Sequence, residues 1–299
     1  MTQGKIVSGC LSPHPPHLVY ALNPEQNEPH ATGSGAWKEL LNGYESLQES
    51  LRKKDFDVII IHTPHWKTVV GHHFLGVPHF KDLSVDPIFP NLFRFNYELN
   101  VDVELAECMA AEASERGLIT KMMRNPHFRV DYGTITSCQL AYPSWDVPIV
   151  VVSSGSPYYY YSNEYGDAEM RALGEATRAA IEKTGRKAVL LASTSLSHRH
   201  FTEEPDDPED PRFEYIYNSN QRSWDDRILA LIESGNSKQI LAEMPDFIEQ
   251  ANSECKEGGF TWLLAALGIP DYPGKIHGYG SVIGTGNAIV EWTPGEVQS

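Results

Sequence analysis

The chain has few of the features that mark membrane, secreted or nucleic-acid-binding proteins. No apolar run in its 299 residues approaches the ~20 that a membrane-spanning helix needs, and the first residues lack the long apolar region of a secretory signal. Basic residues are scarce, with 24 lysines and arginines against 40 acidic residues and a formal net charge of −16. This balance disfavours nucleic acid and anionic membranes as partners, because both attract cationic surfaces.

Cysteine is also sparse, and no CxxC pair is present. The four cysteines are widely spaced, which predicts reduced thiols in a cytoplasmic protein. The sequence has no HExxH motif, no zinc-ribbon spacing and no EF-hand loop. Hydrophobic residues make up 41% of the chain and charged residues 21%, which is ordinary for a soluble globular enzyme with a sizeable core.

One acidic stretch, Thr202–Pro211, holds six carboxylates and three prolines. Charge and proline together resist packing into a core, so the stretch is expected to be a solvated loop. A lid or a subunit contact is the alternative, because the stretch follows a histidine-bearing segment directly.

Short apolar runs rich in β-branched residues predict five buried strands. The runs are Ile6–Leu11, Val58–Ile61, Pro148–Ser153, Ala188–Ala192 and Asn287–Trp292. Because these runs have little polar alternation, both faces of each strand are expected to be covered.

Amphipathic patterns between these runs predict helices. They lie at Trp37–Lys54, Val101–Arg116, Ala168–Lys183 and Ser223–Ser234. Strands that alternate with helices predict one α/β domain over residues 1–299, with a mostly parallel or mixed central sheet covered by helices on both faces. The stretch from Gly71 to Asn100 shows no helical stripe, and either a strand hairpin or an ordered loop fits it.

Histidines follow three of the five predicted strands. The three segments are Ser12-Pro-His14-Pro-Pro-His17, His62-Thr-Pro-His65 and Ser195-Leu-Ser-His198-Arg-His200. Ligands of open α/β sheets bind beyond the carboxyl ends of the strands, so these segments are expected to share a site. A lone strand-end histidine is usually structural, but three such segments in one chain favour a function. The remaining histidines are expected to be structural: His72, His73, His79, His127 and His277.

Histidines in this arrangement favour a metal site. Two histidines and one carboxylate that leave coordination positions open are the ligand set of non-haem Fe(II) oxygenases. Proline-fixed turns would aim the imidazoles before any metal arrives. The carboxylate is expected to come from a distant acid associated with a helix.

The histidine motifs resemble those of the LigB-type (class III) extradiol dioxygenases, and the resemblance runs from Ser12 to the C-terminal strand. His14 stands in a turn like the one that carries the family's first iron histidine. His65 resembles the second, although Pro64 replaces the family's usual aspartate. His62 is the rival for this role, and His65 is favoured because an aromatic residue follows it.

The resemblance places the family's carboxylate ligand in residues 251–262, before a helix that contains Trp262. Glu254 is favoured, because it directly follows the small residues of this segment. Glu257 is the alternative, since residues three apart share one face of a helical turn.

Ser195-Leu-Ser-His198 resembles the segment that carries the family's acid–base histidine, and it is the most specific motif in the chain. Imidazole suits that role because its ordinary pKa lies near neutral pH. A second family segment is matched by Asp131-Tyr-Gly-Thr134, in which Tyr132 replaces a histidine, as in the aminophenol branch. A tyrosine can still form a hydrogen bond with the substrate or with dioxygen.

The resemblance implies Fe(II)- and O2-dependent ring cleavage of 2-aminophenol, a substituted aminophenol or a catechol. It also implies a homologous alpha subunit in a hetero-oligomer. One alternative is a non-catalytic partner subunit, against which the retention of His14, His65, Glu254 and His198 argues. The other is a zinc-dependent relative, since zinc accepts the same ligands.

Two further segments have other interpretations. The glycine-rich segment Gly278–Gly286 leads into a predicted strand rather than a helix, so close backbone packing is expected there in place of phosphate binding. The cluster Tyr158–Tyr161 fits either a wall for an aromatic ligand or a buried subunit contact.

Overall fold

All five predicted strands form, and they belong to one eight-stranded sheet. The computed structural model describes residues 3–22, 35–87, 90, 93–200 and 211–295. The strands are β1 (Lys5–Leu11), β2 (Val58–Thr63), β3 (His72–Leu75), β4 (His79–Val85), β5 (Arg94–Asn100), β6 (Thr120–Met123), β7 (Ile149–Ser153), β8 (Lys187–Ala192), β9 (Lys275–Val282) and β10 (Thr285–Trp292).

The four predicted helices also form, with ends that shift by a few residues. The helices are α1 (Pro16–Leu22), α2 (Lys38–Arg52), α3 (Val103–Glu115), α4 (Tyr132–Ala141), α5 (Pro157–Tyr160), α6 (Asn163–Thr184), α7 (Ser219–Glu233), α8 (Ser237–Gln250) and α9 (Gly259–Leu267). Short 3-10 turns occupy Pro211–Phe213 and Glu254–Glu257. No helix in the described ranges is both long and apolar enough to cross a membrane.

The central sheet is mixed, in the order β6-β3-β7-β2-β8-β1-β10-β9. Its middle strands β7, β2, β8 and β1 run parallel. β10 and β9 extend one side antiparallel, and β3 pairs antiparallel with β7 on the other side. The stretch 71–100 supplies β3 and a separate two-stranded hairpin of β4 and β5. The predicted mixed α/β sheet is therefore confirmed.

Both faces of the sheet are buried, as the β-branched runs indicate. In β2, Val58 and Ile60 belong to a core that includes α3, α6 and α9, whereas Ile59 and Ile61 belong to a core that includes α2 and α4. Because successive side chains of a strand point to opposite faces, an unbroken apolar run supplies both cores at once.

The sequence pattern did not assign six of the observed elements: α1, α4, α5, α8, β6 and β9. In β9, Gly278 and Gly280 interrupt the apolar run. A Cβ atom on Gly278 would lie 3.1 Å from Gly43 Cα, so α2 packs with its backbone directly against this strand. The close packing expected for the glycine-rich segment is present.

A buried carboxylate ties the C-terminal strand to its neighbours. Glu291 of β10 is 3% exposed and accepts hydrogen bonds from Ser8 Oγ at 2.6 Å and Ser50 Oγ at 2.7 Å, with His277 Nε2 at 3.1 Å. Burial raises the pKa of Glu291, but these hydrogen bonds and the charge of Lys54 outweigh burial and lower the pKa to about 2.

We expect the Glu291→Gln variant to be less stable at neutral pH and less sensitive to acid. The pKa of Glu291 falls on folding from an ordinary 4.5 to about 2. The ionised carboxylate therefore stabilises the fold fully above pH 4.5, and this stabilisation is lost as the pH falls towards 2. Its size is about 3 kcal/mol at most, from 1.36 kcal/mol per pKa unit. Urea unfolding at pH 7 and pH 3 measures it, with the exposed Glu45→Gln as control. Equal acid sensitivity of wild type and Glu291→Gln would contradict this account.

Candidate metal centre

The three histidine-bearing segments meet at one edge of the sheet. β8 lies between β1 and β2, and the three strands end in register at Leu11, Ala192 and His62. Backbone hydrogen bonds continue the register past the strands, from Ser12 N to Ala192 O at 2.9 Å and from Ser193 N to His62 O at 3.0 Å. The parallel register therefore brings together segments far apart in sequence.

His14, His65 and Glu254 converge beyond this edge. Each offers one ligand atom, and the three atoms lie within 4.8 Å of one another. His14 Nε2 is 2.7 Å from His65 Nε2, and Glu254 Oε1 is 3.3 Å from the first nitrogen and 3.6 Å from the second. Two imidazole nitrogens and one carboxylate oxygen suit a divalent cation.

The tautomer of His14 is set by Ser193, which directly follows β8. The hydroxyl of Ser193 donates to Gly133 O at 3.1 Å, so its oxygen accepts from His14 Nδ1–H at 2.9 Å. The proton of the His14 ring is then on Nδ1, and the lone pair of Nε2 faces His65 and Glu254. A polar partner on the distal nitrogen is the usual way in which proteins orient a metal-binding histidine.

The carboxylate of Glu254 is oriented in a similar way. Its Oε2 accepts hydrogen bonds from the backbone N–H of Ser195 at 2.8 Å and from the Ser195 hydroxyl at 3.1 Å, while Oε1 faces the histidines. Burial raises the pKa of Glu254, but the neighbouring His14, His198 and His65 outweigh it and hold the pKa well below its ordinary range. The group is therefore an ionised acceptor.

Tyr132 contacts the same cluster from the first turn of α4. Asp131 caps this helix by accepting from Thr134 N at 3.0 Å, and it also accepts from Thr63 Oγ1 at 2.6 Å. The cap fixes Tyr132, whose Oη lies 2.8 Å from His65 Nε2. Burial raises the pKa of Tyr132 well above its ordinary value, which keeps the phenol protonated and able to donate.

His198 lines the same cavity at the end of the loop that follows β8. The backbone carbonyl of His198 accepts a hydrogen bond from Gln221 Nε2 at 2.9 Å. Asp225 also holds this loop, because it accepts from Ser197 N at 2.9 Å and from Ser197 Oγ at 2.7 Å. Burial lowers the pKa of His198 to about 4, so the imidazole is neutral at pH 7 and can accept a proton.

The two alternative ligands, His62 and Glu257, contact other residues. His62 is buried beside Trp262, with Nε2 2.9 Å from Ser154 Oγ, and it does not line the cavity. Glu257 lines the cavity but pairs with Lys67 Nζ at 2.8 Å and accepts from Ser156 Oγ. The geometry therefore favours His65 over His62 and Glu254 over Glu257, and their roles remain predictions.

The candidate ligands open onto a cavity of about 300 Å3. Several lining residues were not singled out from the sequence, among them Asp86, Val282, Ile283 and Asn287. Asp86 follows β4, and the other three lie in the β9–β10 hairpin, where the sequence predicted close backbone packing and a strand but no site residue. Of the tyrosine cluster, Tyr158 is buried and bonds Thr261 Oγ1, while Tyr161 is half exposed. Neither of these two lines the cavity, and the side chains at 159 and 160 lie outside the described part.

The acidic stretch Thr202–Pro211 lies almost entirely outside the described residues, which resume at 211. Its expected role as a loop, a lid or a subunit contact stays a prediction.

Residues 8–290 match the family described as the catalytic LigB subunit of aromatic ring-opening dioxygenase. The chain belongs to the LigB family. The match spans the whole sheet edge described above, including each candidate metal ligand.

LigB relatives of known name cover almost the full chain. The beta subunit of 2-aminophenol 1,6-dioxygenase from Pseudomonas sp is 52% identical over 98% of this chain and 95% of its own length. The alpha subunit from Pseudomonas sp is 26% identical over 86% of this chain and 92% of its own length. The 3,4-dihydroxyphenylacetate 2,3-dioxygenase of Escherichia coli is 27% identical over 91% of this chain and 94% of its own length.

A solved structure shares the fold. An uncharacterized protein of Escherichia coli K12 superposes with a TM-score of 0.59, covering 95% of this chain and 99% of its own. At 15% sequence identity this likeness concerns the fold alone.

We expect the Gly133→Ala variant to lose metal affinity while it stays folded. A Cβ atom at position 133 would lie 2.9 Å from His65 Cδ2 and 3.1 Å from Asp131 Oδ1, so the imidazole would have to shift from its position in the cluster. A loss of roughly 10- to 100-fold in metal affinity is typical when the support of a ligand is disturbed. Metal titration of the apoprotein measures it.

Gly155→Ala is the matched control for this test. Its Cβ would meet nothing closer than 3.5 Å, and its backbone needs no left-handed conformation. Wild-type metal affinity in Gly133→Ala would show that His65 is not held against this glycine.

Proposed function

We propose that this protein is the iron-bearing subunit of an extradiol dioxygenase that opens the ring of 2-aminophenol or a close analogue. The observation that carries the proposal is the convergence of His14, His65 and Glu254 on one point beside a cavity lined by His198 and Tyr132. The 52% identity to the beta subunit of 2-aminophenol 1,6-dioxygenase supports the substrate.

The ligand set supports Fe(II) as the metal. Two imidazole nitrogens and one carboxylate are the protein ligands of non-haem Fe(II) oxygenases, and they would leave further coordination positions of the iron open. When bound, Fe(II) would provide adjacent positions for the two ortho heteroatoms of the ring and for dioxygen, and a path for electron density between them. The protein would hold the ring in the cavity and exclude bulk water from it.

His198 is the proposed acid–base residue. Its imidazole is neutral at pH 7, because burial lowers its pKa to about 4, and it lines the cavity beside Glu254. A neutral imidazole can take the proton that the phenol or the ortho amino group loses on binding and return it as the ring opens. The carbonyl contact with Gln221 fixes the loop that carries it.

Tyr132 is the proposed hydrogen-bond donor of the site. Its phenol is protonated, and its oxygen lies 2.8 Å from His65 Nε2, beside the candidate ligand atoms. From there the hydroxyl can donate to an oxygen atom that gains negative charge during cleavage. The net reaction adds both atoms of O2 to the substrate and breaks one ring carbon–carbon bond, so no further reductant is needed.

A hetero-oligomer is also proposed. The chain is similar to both named subunits of the Pseudomonas dioxygenase, at 52% identity to the beta subunit and 26% to the alpha subunit. A homologous alpha subunit is therefore the expected partner. Retention of the complete ligand set argues against a non-catalytic role for this chain.

We expect the His198→Ala variant to retain the metal and lose turnover. Removing a general acid–base group lowers kcat by roughly 10²- to 10⁴-fold without removing a ligand. Anaerobic loading with Fe(II), metal analysis and oxygen uptake on 2-aminophenol and catechol measure both properties. Loss of iron in this variant would mean that His198 is a ligand rather than a base.

Glu254→Gln and Glu257→Gln form a matched pair. The first is expected to lose metal binding and turnover, because it removes the ionised ligand, whereas the second should keep its metal. The reverse outcome would transfer the ligand role to Glu257. Ring cleavage that proceeds with zinc and without oxygen uptake would end the iron proposal.

A further inference from the structure

The turn between β9 and β10 forms an apolar part of the cavity wall. Apart from three prolines, the aliphatic side chains that line the cavity in the described residues are Val282 and Ile283. Ile283 is 6% exposed and has a φ of +49°, a left-handed conformation that is costly for a β-branched residue. Such a conformation persists only where other contacts enforce it.

Glu214 provides those contacts. Its Oε2 accepts from the backbone N–H of Ile283 at 3.0 Å, and its Oε1 accepts from that of Gly284 at 3.3 Å. Hydrogen bonds to a carboxylate are stronger than those between neutral groups, and two successive amides fix the direction of the turn. The short segment that carries Glu214 is bonded to the turn as well, from Tyr217 N to Gly284 O at 3.1 Å.

The same carboxylate reaches a second part of the wall. Trp37, which is 1% exposed, donates its indole N–H to Glu214 Oε2 at 2.8 Å. The Trp37 ring lies edge-on to His17, with 5.4 Å between centroids, and His17 lines the cavity. One carboxylate therefore joins the β9–β10 turn to Trp37 at the start of α2.

We propose that Glu214 is a positioning residue for substrate binding, which holds Ile283 against the aromatic ring through the β9–β10 turn. A flat aromatic substrate gains affinity from a rigid apolar surface that is in place before binding. Glu214 contacts neither the candidate ligands nor His198, so its effect falls on binding rather than on the metal or on proton transfer. The choice of 2-aminophenol as ligand rests on the function proposed above.

The experiment compares Glu214→Ala with wild type in the Fe(II)-loaded full-length chain. Under nitrogen, the Kd of 2-aminophenol should rise roughly tenfold, because a set of charge-assisted hydrogen bonds is lost from the wall. Iron content should match wild type, and kcat at saturating substrate should change less than about twofold. Amide hydrogen exchange at Ile283 should be at least about tenfold faster, since its acceptor is gone, whereas the Gly284 amide keeps Ser281 Oγ as an acceptor at 2.9 Å.

Further variants separate positioning from general stability. Glu214→Gln keeps one acceptor oxygen and should recover part of the affinity. Ile283→Gly keeps the Glu214 contacts and removes the apolar side chain from the wall, so it should weaken substrate binding. Relief of the left-handed strain should offset part of the stability lost with the buried side chain. Glu45→Ala, an exposed acid on α2, should bind like wild type.

Unchanged amide exchange in Glu214→Ala, or wild-type affinity in both Glu214→Ala and Ile283→Gly, would overturn the proposal. A loss of affinity for 2-aminophenol that is fully explained by a loss of iron would also overturn the proposal. If wild type itself neither binds nor cleaves 2-aminophenol, the proposed function fails, whereas the exchange measurement still decides whether Glu214 positions the turn.

Discussion

The parallel register of β1, β8 and β2 is the constraint on which the rest of the site depends. These strands end side by side, and the first residues after β1 and β8, Ser12 and Ser193, donate backbone hydrogen bonds to the ends of the neighbouring strands. Each loop then supplies one part of the centre: His14 from the first, His65 from the second, and Ser193 with His198 from the third. Without this register, residues about 180 positions apart in sequence could not share one cavity.

Buried hydrogen bonds turn this proximity into a defined geometry. Hydrogen bonds from Ser193 and Ser195 orient the ring of His14 and the carboxylate of Glu254. Asp225 holds the loop between Ser195 and His198. Burial raises the pKa of Asp225 to about 6, although Ser197 and Tyr279 donate to it. A buried network whose members are bonded is rigid, which is the condition for aiming the three candidate ligands at one point.

The cavity wall has a different origin from the centre. The candidate metal centre is built from motif residues at strand ends. The apolar wall comes from the β9–β10 turn, whose Ile283 amide donates to Glu214, and the same carboxylate accepts from Trp37. A single carboxylate in a segment with no recognisable motif thereby connects two distant parts of the chain.

The amino-acid sequence alone was sufficient for five strands of the central sheet, four of the long helices and the segments of the centre. Unbroken β-branched runs such as Val58–Ile61 can be buried only on both faces, and a strand-end histidine in a proline turn such as His14 is locally constrained. The choices between His65 and His62, and between Glu254 and Glu257, needed the tertiary structure. In each pair both residues have the right chemistry and lie three positions apart, so only the direction of the side chain separates them. The same holds for Glu214 and Ile283, because a turn held by long-range hydrogen bonds leaves no periodic pattern in the sequence.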